Sequence, residues 1–362
     1  MKTRKPVFFP PTLMGHITSD ISDLFRRKSL DANEVRVYYG CQMNGEPHLG
    51  IFTSLAAAYS IAKKVGQDFG LPSKIIFGAL ENGPGEKIEN GGIVYQRMLE
   101  HTPYEGTNKA AHYQKGFEVE LDRLSDIFNV PYTISNYRDL QAKPTARKTL
   151  LELLSREEEF TPILNPSDNR LRVRFPCGDC NYSDKHAVKL EAVGNITPQI
   201  GVFNSTCFEH GEYRTIITPD NSEYVDSNTL VRNVMKEATI SKDSISEGFL
   251  PIVVKGGDWI HSSVLVSTAL EMLGYGPQKR PDRIYTPLIE DWSGAKFSKS
   301  LYLEADSYDS FPAGFVSLAD FERTFGEEGI RKLADHVATW VEDPKKLYRN
   351  YSLEYLIELF KK

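Results

Sequence analysis

The chain has 362 residues, of which 40% are hydrophobic and 25% charged, and a formal net charge of -6 at pH 7. These values exclude a disordered or fibrous protein, and the length accommodates two domains or one nucleotide-binding domain with a sizeable insertion. The acidic balance argues against a protein whose main task is to coat nucleic acid, and no run of about 18 apolar residues exists to cross a membrane, so a cytoplasmic location without membrane partners is expected. The basic opening Met1 to Lys5 leads into Pro6, Pro10 and Pro11 rather than the apolar stretch of a signal peptide.

A short helix is expected near Thr18 to Phe25. The β-branched and aromatic run Val35 to Gly40 predicts a buried strand, the segment Cys41 to Gly50 a glycine-bearing turn, and the Ala- and Leu-rich stretch Ile51 to Val65 a helix. Lys74 to Gly78 predicts the next strand, Glu81 to Gly92 a loop, Ala110 to Phe128 an amphipathic helix and Tyr132 to Ile134 a third strand. Such alternation predicts an α/β fold, a Rossmann-like parallel sheet with helices on both faces. Helical periodicity lapses between about Phe160 and Ile217, where short strands surround three cysteines. It resumes with a helix from Ser227 to Ala238, a strand from Pro251 to Lys255, a helix from Ile260 to Leu273 and a short strand at Arg283 to Tyr285. A polar loop, Glu290 to Leu303, follows, and the remainder reads as helical with Leu347 to Leu359 the clearest segment. The expected organisation is an N-terminal extension over 1–34, a first Rossmann-like half over 35–159, a zinc-binding insertion over 160–220, a second half over 221–305 and a helical C-terminal segment over 306–362.

Three constellations carry chemistry. Cys177-x2-Cys180 and Cys207-x2-His210 have the spacing of two metal knuckles. Four N and S donors fill a tetrahedral zinc and leave no position for a catalytic water, so the ion is expected to be structural. Asn44-Gly-Glu-Pro-His48-Leu-Gly50 occupies the first strand-to-helix turn, where glycine admits a phosphate to the backbone and a helix N-terminus supplies N–H donors. Gly294-Ala-Lys296-Phe-Ser298-Lys299-Ser300 places two lysines and two serines on a loop that could clamp a leaving pyrophosphate. Either of the last two alone would be an ordinary turn or a solvated loop.

Together they resemble a known family. Pro47 to Gly50 is similar to the first signature of class I aminoacyl-tRNA synthetases, and Lys296 to Ser300 to the second, KMSKS, in the family's order and on the expected elements. Lys255-Gly-Gly-Asp258-Trp-Ile-His261 resembles the glycine-plus-acid segment that holds ATP ribose. With the paired knuckles ahead of it, the chain looks most like the class I lysyl-tRNA synthetases over about residues 35 to 305, and the large anticodon-binding region that follows in that family is expected to be lacking.

The resemblance implies an ATP-dependent ligase: an amino-acid carboxylate, of lysine or a related amino acid, attacks the α-phosphate of ATP to give an aminoacyl-adenylate, with Mg2+ accompanying ATP. His48 and Lys299 would hold phosphate oxygens, Lys296 would support the loop, and Asp258 would fix the ribose. Gly45, Pro47, Gly50, Gly257, Ser298 and Ser300 would complete the ATP contacts. Gln42, Asn44, Glu81 and His261 are the candidate substrate contacts, with Glu81 suited to pair an ammonium group. The acyl acceptor would be a small molecule, peptide or carrier, or a tRNA acceptor stem. One departure stands out: the family's first signature ends in His or Asn where this chain has Ile51, which cannot hydrogen-bond a phosphate. The alternative reading is a non-catalytic relative that binds a nucleotide, tRNA or protein partner as a sensor or regulator.

Overall fold

The computed structural model describes residues 20–168, 170–291, 294, 296–297, 314–315 and 317–361. Strand β1, Glu34–Gln42, alternates in burial, with Val35, Val37 and Tyr39 turned to one core. It runs into helix α1, Leu49–Phe69, which is apolar around most of its circumference and ends on Gly70 in the left-handed conformation (φ 66). Strand β2, Ser73–Leu80, returns beside β1 in parallel, with Gly40 opposite Gly78.

The segment beyond β2, expected to be a loop, is a hairpin of β3, Pro84–Asn90, and β4, Ile93–Met98. Gly91 and Gly92 at its tip both have positive φ, 59 and 77, as a type I′ turn requires, so the glycines mark a tight turn between strands rather than irregular chain. Helix α2, Lys109–Phe128, is capped by Asn108, whose side chain accepts from the Ala111 amide at 2.8 Å. Strand β5, Tyr132–Asn136, and helices α3, Tyr137–Ala142, and α4, Pro144–Ser155, follow.

Short strands then build the cysteine-bearing unit. Of these, β6, Tyr182–Asp184, adds to the edge of β4, and β7, Gly201–Cys207, pairs with β8, Gly211–Ile217. The first fold resumes with helix α5, Thr229–Glu247, strand β9, Phe249–Gly256, helix α6, Ile260–Met272, and strand β10, Asp282–Thr286.

The five long strands form one parallel sheet in the order β10-β9-β1-β2-β5. Read from the β5 edge, the sheet strands come third, second, first, fourth, fifth in the chain, which is the order of a doubly wound Rossmann-like sheet with its switch point between β1 and β9. Helix α1 covers β1, β2 and β9 and is itself covered by α2 and by α7, Leu318–Glu342; one core joins these layers. A second core lies under α4, α5 and α6 and extends to Phe175, Phe203 and Ile217 of the cysteine-bearing unit.

The C-terminal part is helical as expected, with different boundaries. Its long helix is α7, interrupted at Gly326 (φ 66), and the stretch from Leu347 contains a break before α8, Leu353–Phe360. Tyr351 and Ser352 make a parallel bridge to Ile289 and Glu290, and the Tyr351 ring stacks on Trp340 with centroids 4.3 Å apart. That pairing takes the backbone out of the helix. Among the described residues no helix is long and apolar enough to cross a membrane.

One buried carboxylate ties these parts together. Asp226, fully buried, accepts from Asn82 Nδ2 at 2.8 Å, from Arg232 at 2.9 Å and from Arg174 Nε at 3.0 Å. It thereby links the exit of β2, the start of α5 and the cysteine-bearing unit. Burial pushes its carboxyl up, but the Arg174 and Arg232 guanidinium groups overcome this and hold it below its ordinary value.

Replacement by the near-isosteric Asp226→Asn leaves two guanidinium groups facing an amide and is expected to cost about 3–5 kcal/mol, measured as a fall in the urea midpoint at unchanged m-value. Because the folded pKa is depressed, the stability from Asp226 is complete above its unfolded value near ~4 and is lost as pH falls through the folded one. The wild type should therefore lose stability on acidification below about pH 4 more steeply than Asp226→Asn; equal slopes would show that other carboxylates govern acid unfolding.

Candidate functional site

At the switch point the chains leaving β1 and β9 diverge to opposite faces of the sheet, and the ends of the two strands frame a crevice. It encloses about 380 Å3 and is lined by Tyr39 to Gln42 from β1, Asn44, His48, Gly50, Ile51 and Ser54 from the turn and α1, and Val253 to Gly256 from β9. Asp258, Trp259, Lys296 and Phe297 close one end. Leu80, Tyr137, Leu140 and the α5 residues Thr229, Arg232, Asn233 and Lys236 close the other.

At the first end, His48 precedes the first turn of α1 in extended conformation, and its carbonyl accepts from the Ile51 and Phe52 amides at 2.9 Å each. Its imidazole lies over Gly50: a Cβ there would come within 3.2 Å of the ring, so a larger residue would displace it. Pro47 is buried and packs toward α2, where a Cβ on Gly116 would meet it at 3.3 Å. Pro47 and Gly45 do not line the crevice, whereas Ile51 does, presenting an alkyl wall beside the helix N-terminus.

Asp258 stands just past β9 and pairs with Lys296 at 2.7 Å, both partners about a third to two-fifths exposed. Lys296 is held by a bridge to Glu290 and by its neighbour Phe297, buried, whose amide donates to the Ile289 carbonyl at 2.7 Å. Gly256 proves more critical to this geometry than the expected Gly257, since a Cβ on Gly256 would lie 2.6 Å from Asp258 Oδ1 and one on Gly257 no nearer than 3.4 Å to any atom. Ser298, Lys299 and Ser300 lie outside the described residues.

At the second end, Gln42 and Asn44 reach the crevice, while Glu81 and His261 do not line it. Glu81, 8% exposed, accepts from the backbone amides of Tyr137 at 2.8 Å and Arg138 at 2.6 Å, acting as an anion at the N-terminus of α3; burial raises its pKa against these bonds. His261 is exposed on the first turn of α6. The composition of α5 could not be assigned a role from sequence, yet Arg232, Asn233 and Lys236 share the face that borders the crevice. Burial, and secondarily the Lys255 cation, bring the Lys236 amine down to about 8. Burial also pushes the nearby Cys41 thiol up, which makes it a packed residue rather than a nucleophile.

Away from the crevice, Cys177, Cys180, Cys207 and His210 come together with all ligand atoms within 4.8 Å of one another. Cys180 Sγ lies 3.5 Å from Cys207 Sγ, and His210 Nδ1 lies 3.6 Å from the sulfurs of both Cys177 and Cys207. Ligands about 2.3 Å from a tetrahedral zinc are separated by roughly 3.8 Å, so the cluster fits that ion with little movement. The Glu209 amide points at Cys207 Sγ at 3.4 Å, a donor that steadies a thiolate. None of the four cysteines is in a disulfide.

No family model and no curated protein sequence matches the chain. Solved structures similar to it are aminoacyl-tRNA synthetases. They include methionyl-tRNA synthetase of Mycobacterium tuberculosis bound by methionyl-adenylate (12% identity, 91% of this chain and 68% of that one, TM-score 0.45) and tyrosyl-tRNA synthetase of Archaeoglobus fulgidus with L-tyrosine (13%, 95% and 93%, TM-score 0.39). A third is a glutamate tRNA ligase of Elizabethkingia meningosepticum with its amino acid (14%, 76% and 53%, TM-score 0.32), of which the chain spans about half the length.

Removal of a cysteine should reveal the metal. Cys180→Ser is expected to reduce bound zinc from about one ion per chain to a small fraction and to lower the melting temperature, whereas Cys41→Ser leaves the metal content unchanged. Equal zinc in both variants by elemental analysis would remove the cluster as its site.

Proposed function

We propose that the chain activates an amino-acid carboxylate with ATP. The observation that carries this reading is the convergence on one crevice of His48 at a helix N-terminus, Asp258 beyond the neighbouring strand and Lys296 on the closing loop. A carboxylate oxygen of the amino acid attacks the α-phosphorus, the bond to the bridging oxygen breaks, and pyrophosphate leaves.

The turn at His48 and the free amides of α1 stabilise the charge that grows on the α-phosphate. Asp258 accepts the ribose hydroxyls, which frees Lys296 to follow the phosphates; Lys299, Ser298 and Ser300 belong to the same loop and would complete the clamp. Gly50 and Gly256 keep the backbone low beneath the nucleotide. Mg2+ accompanying ATP supplies further charge neutralisation. Cys177, Cys180, Cys207 and His210 would hold a structural zinc. Lysine or a related amino acid is the substrate that the sequence resemblance implies, and the acyl group would pass to a small molecule, peptide, carrier or tRNA acceptor stem.

A second reading, a nucleotide- or tRNA-binding regulator without turnover, is favoured by one observation: Ile51 lines the crevice where a phosphate donor would be useful. Amino-acid-dependent exchange of labelled pyrophosphate into ATP separates the two. The enzyme reading expects exchange with one amino acid, reduced about 10²–10³-fold in His48→Ala and in Lys299→Ala, and increased in Ile51→Asn. A zinc-loaded sample that binds ATP and exchanges with no amino acid would leave the regulator.

A further inference from the structure

We infer that the deep end of the crevice receives a second carboxylate, so that the substrate is a dicarboxylic amino acid whose side chain pairs with Lys236; this rests on the adenylation reading above. The argument begins with the charges. Arg232, Lys236, Lys255 and Lys296 are the cations that line the crevice, and Asp258 is its carboxylate. Three of the four cations already have a carboxylate partner: Arg232 has Asp226 at 2.9 Å, Lys255 has Glu237 at 3.1 Å and Lys296 has Asp258 at 2.7 Å. Glu237 is itself shared with Arg283, and it attracts Lys236 only through space, without an ion pair or hydrogen bond to it. Among the described residues Lys236 has neither an ion-pair partner nor a hydrogen bond, although it is half-buried and lines both the crevice and the adjoining cavity.

A half-buried ammonium without an ion-pair partner gains from a ligand that supplies one. Among the described residues no carboxylate makes an ion pair with Lys236, and Glu237, which attracts it, is already held by Lys255 and Arg283. Glu81 is committed to the amides of Tyr137 and Arg138, and Asp243, which lines the adjoining cavity, pairs with Lys143 at 3.0 Å. The low amine pKa agrees with this: burial and the Lys255 cation depress it to about 8, and an anion beside Lys236 would raise it.

Depth distinguishes which anion. The carboxylate that reacts must stand at the strand ends, next to His48 and the first turn of α1. Lys236 Nζ instead lies 3.8 Å from where a Cβ on Gly78 would be, and Gly78 is two residues before the end of β2. Two strand residues correspond to roughly 7 Å, a span that the four-carbon aspartate does not reach and that an extended six-carbon dicarboxylic amino acid such as 2-aminoadipate approaches. The walls along that span, Leu80, Tyr137 and Leu140, suit its methylenes. A lysine side chain entering the same way would bring its ammonium to Lys236 with no carboxylate nearby.

The test is pyrophosphate exchange with L-aspartate, L-glutamate and L-2-aminoadipate against L-asparagine, L-glutamine and L-lysine, paired with calorimetric titration of the same six compounds. One acid should exceed its amide counterpart in kcat/KM by about tenfold or more, and Lys236→Gln should erase that ratio while keeping the wild-type zinc content. Exchange with lysine or a neutral amino acid at equal or higher kcat/KM overturns the inference and leaves adenylation standing. Binding of an acid that is lost in Lys236→Gln, without exchange, leaves the inference standing and removes adenylation. Absence of both binding and exchange for every acid overturns the inference, and the wild-type profile alone decides this if the variant does not fold.

Discussion

The site depends on the reversal of strand order between β1 and β9. Both strands are hydrogen-bonded in register from Glu34–Phe249 to Tyr38–Val253, but β1 continues four residues further alongside β2, and the chains leaving the two strands turn to different faces. No helix can cover the gap between them, because a crossover from either strand leads away from it. His48 and Asp258 each follow one of these two strand ends, while Lys296 reaches them from the loop beyond β10, so a shift of either strand by one residue would move the turn at His48 relative to Asp258 and disperse the site.

Helix α5 supplies the rigid side of the crevice, and its rigidity is electrostatic. It carries Glu237, which is buried, and Arg232, which is mostly so, and such charges persist only when paired. Arg232 is anchored through Asp226 to Arg174 and Asn82; Glu237 is anchored to Lys255 of β9 and Arg283 of β10. Two anchors, a turn and a half apart on the helix, fix both its rotation and its height over the sheet. The first anchor also joins the cysteine-bearing unit to the sheet, which gives that unit a mechanical role in the crevice despite its distance from it.

Much of this was legible in the sequence, and the exceptions share a cause. Strands β1, β2, β5, β9 and β10 are marked by local residue type, and paired cysteines announce their cluster through spacing alone; both signals are short-range. The hairpin after β2 was hidden because its first strand is mostly exposed and carries little apolar alternation, and Gly91-Gly92 reads equally well as a loop. Glu81 shows a deeper limit. Its position next to a strand end was readable, but the direction of its carboxylate was set by the amides of Tyr137 and Arg138, more than fifty residues away. Lys236 was missed for the converse reason: a lysine in an amphipathic helix looks solvated until the helix is seen to cross Gly78.

The charges at the two ends of the crevice therefore differ in kind. The Asp258–Lys296 pair is part-exposed, and such pairs contribute about 0.2–1 kcal/mol, so under the proposed function a nucleotide would separate them at little cost. The Lys255–Glu237 pair on the other side of the same strand end is almost wholly buried, and removing its partner would strand a charge at a cost of about 3–5 kcal/mol. A ligand entering the crevice consequently meets one pair that yields and one that does not. The buried pair thus holds α5, and with it Lys236, against the sheet.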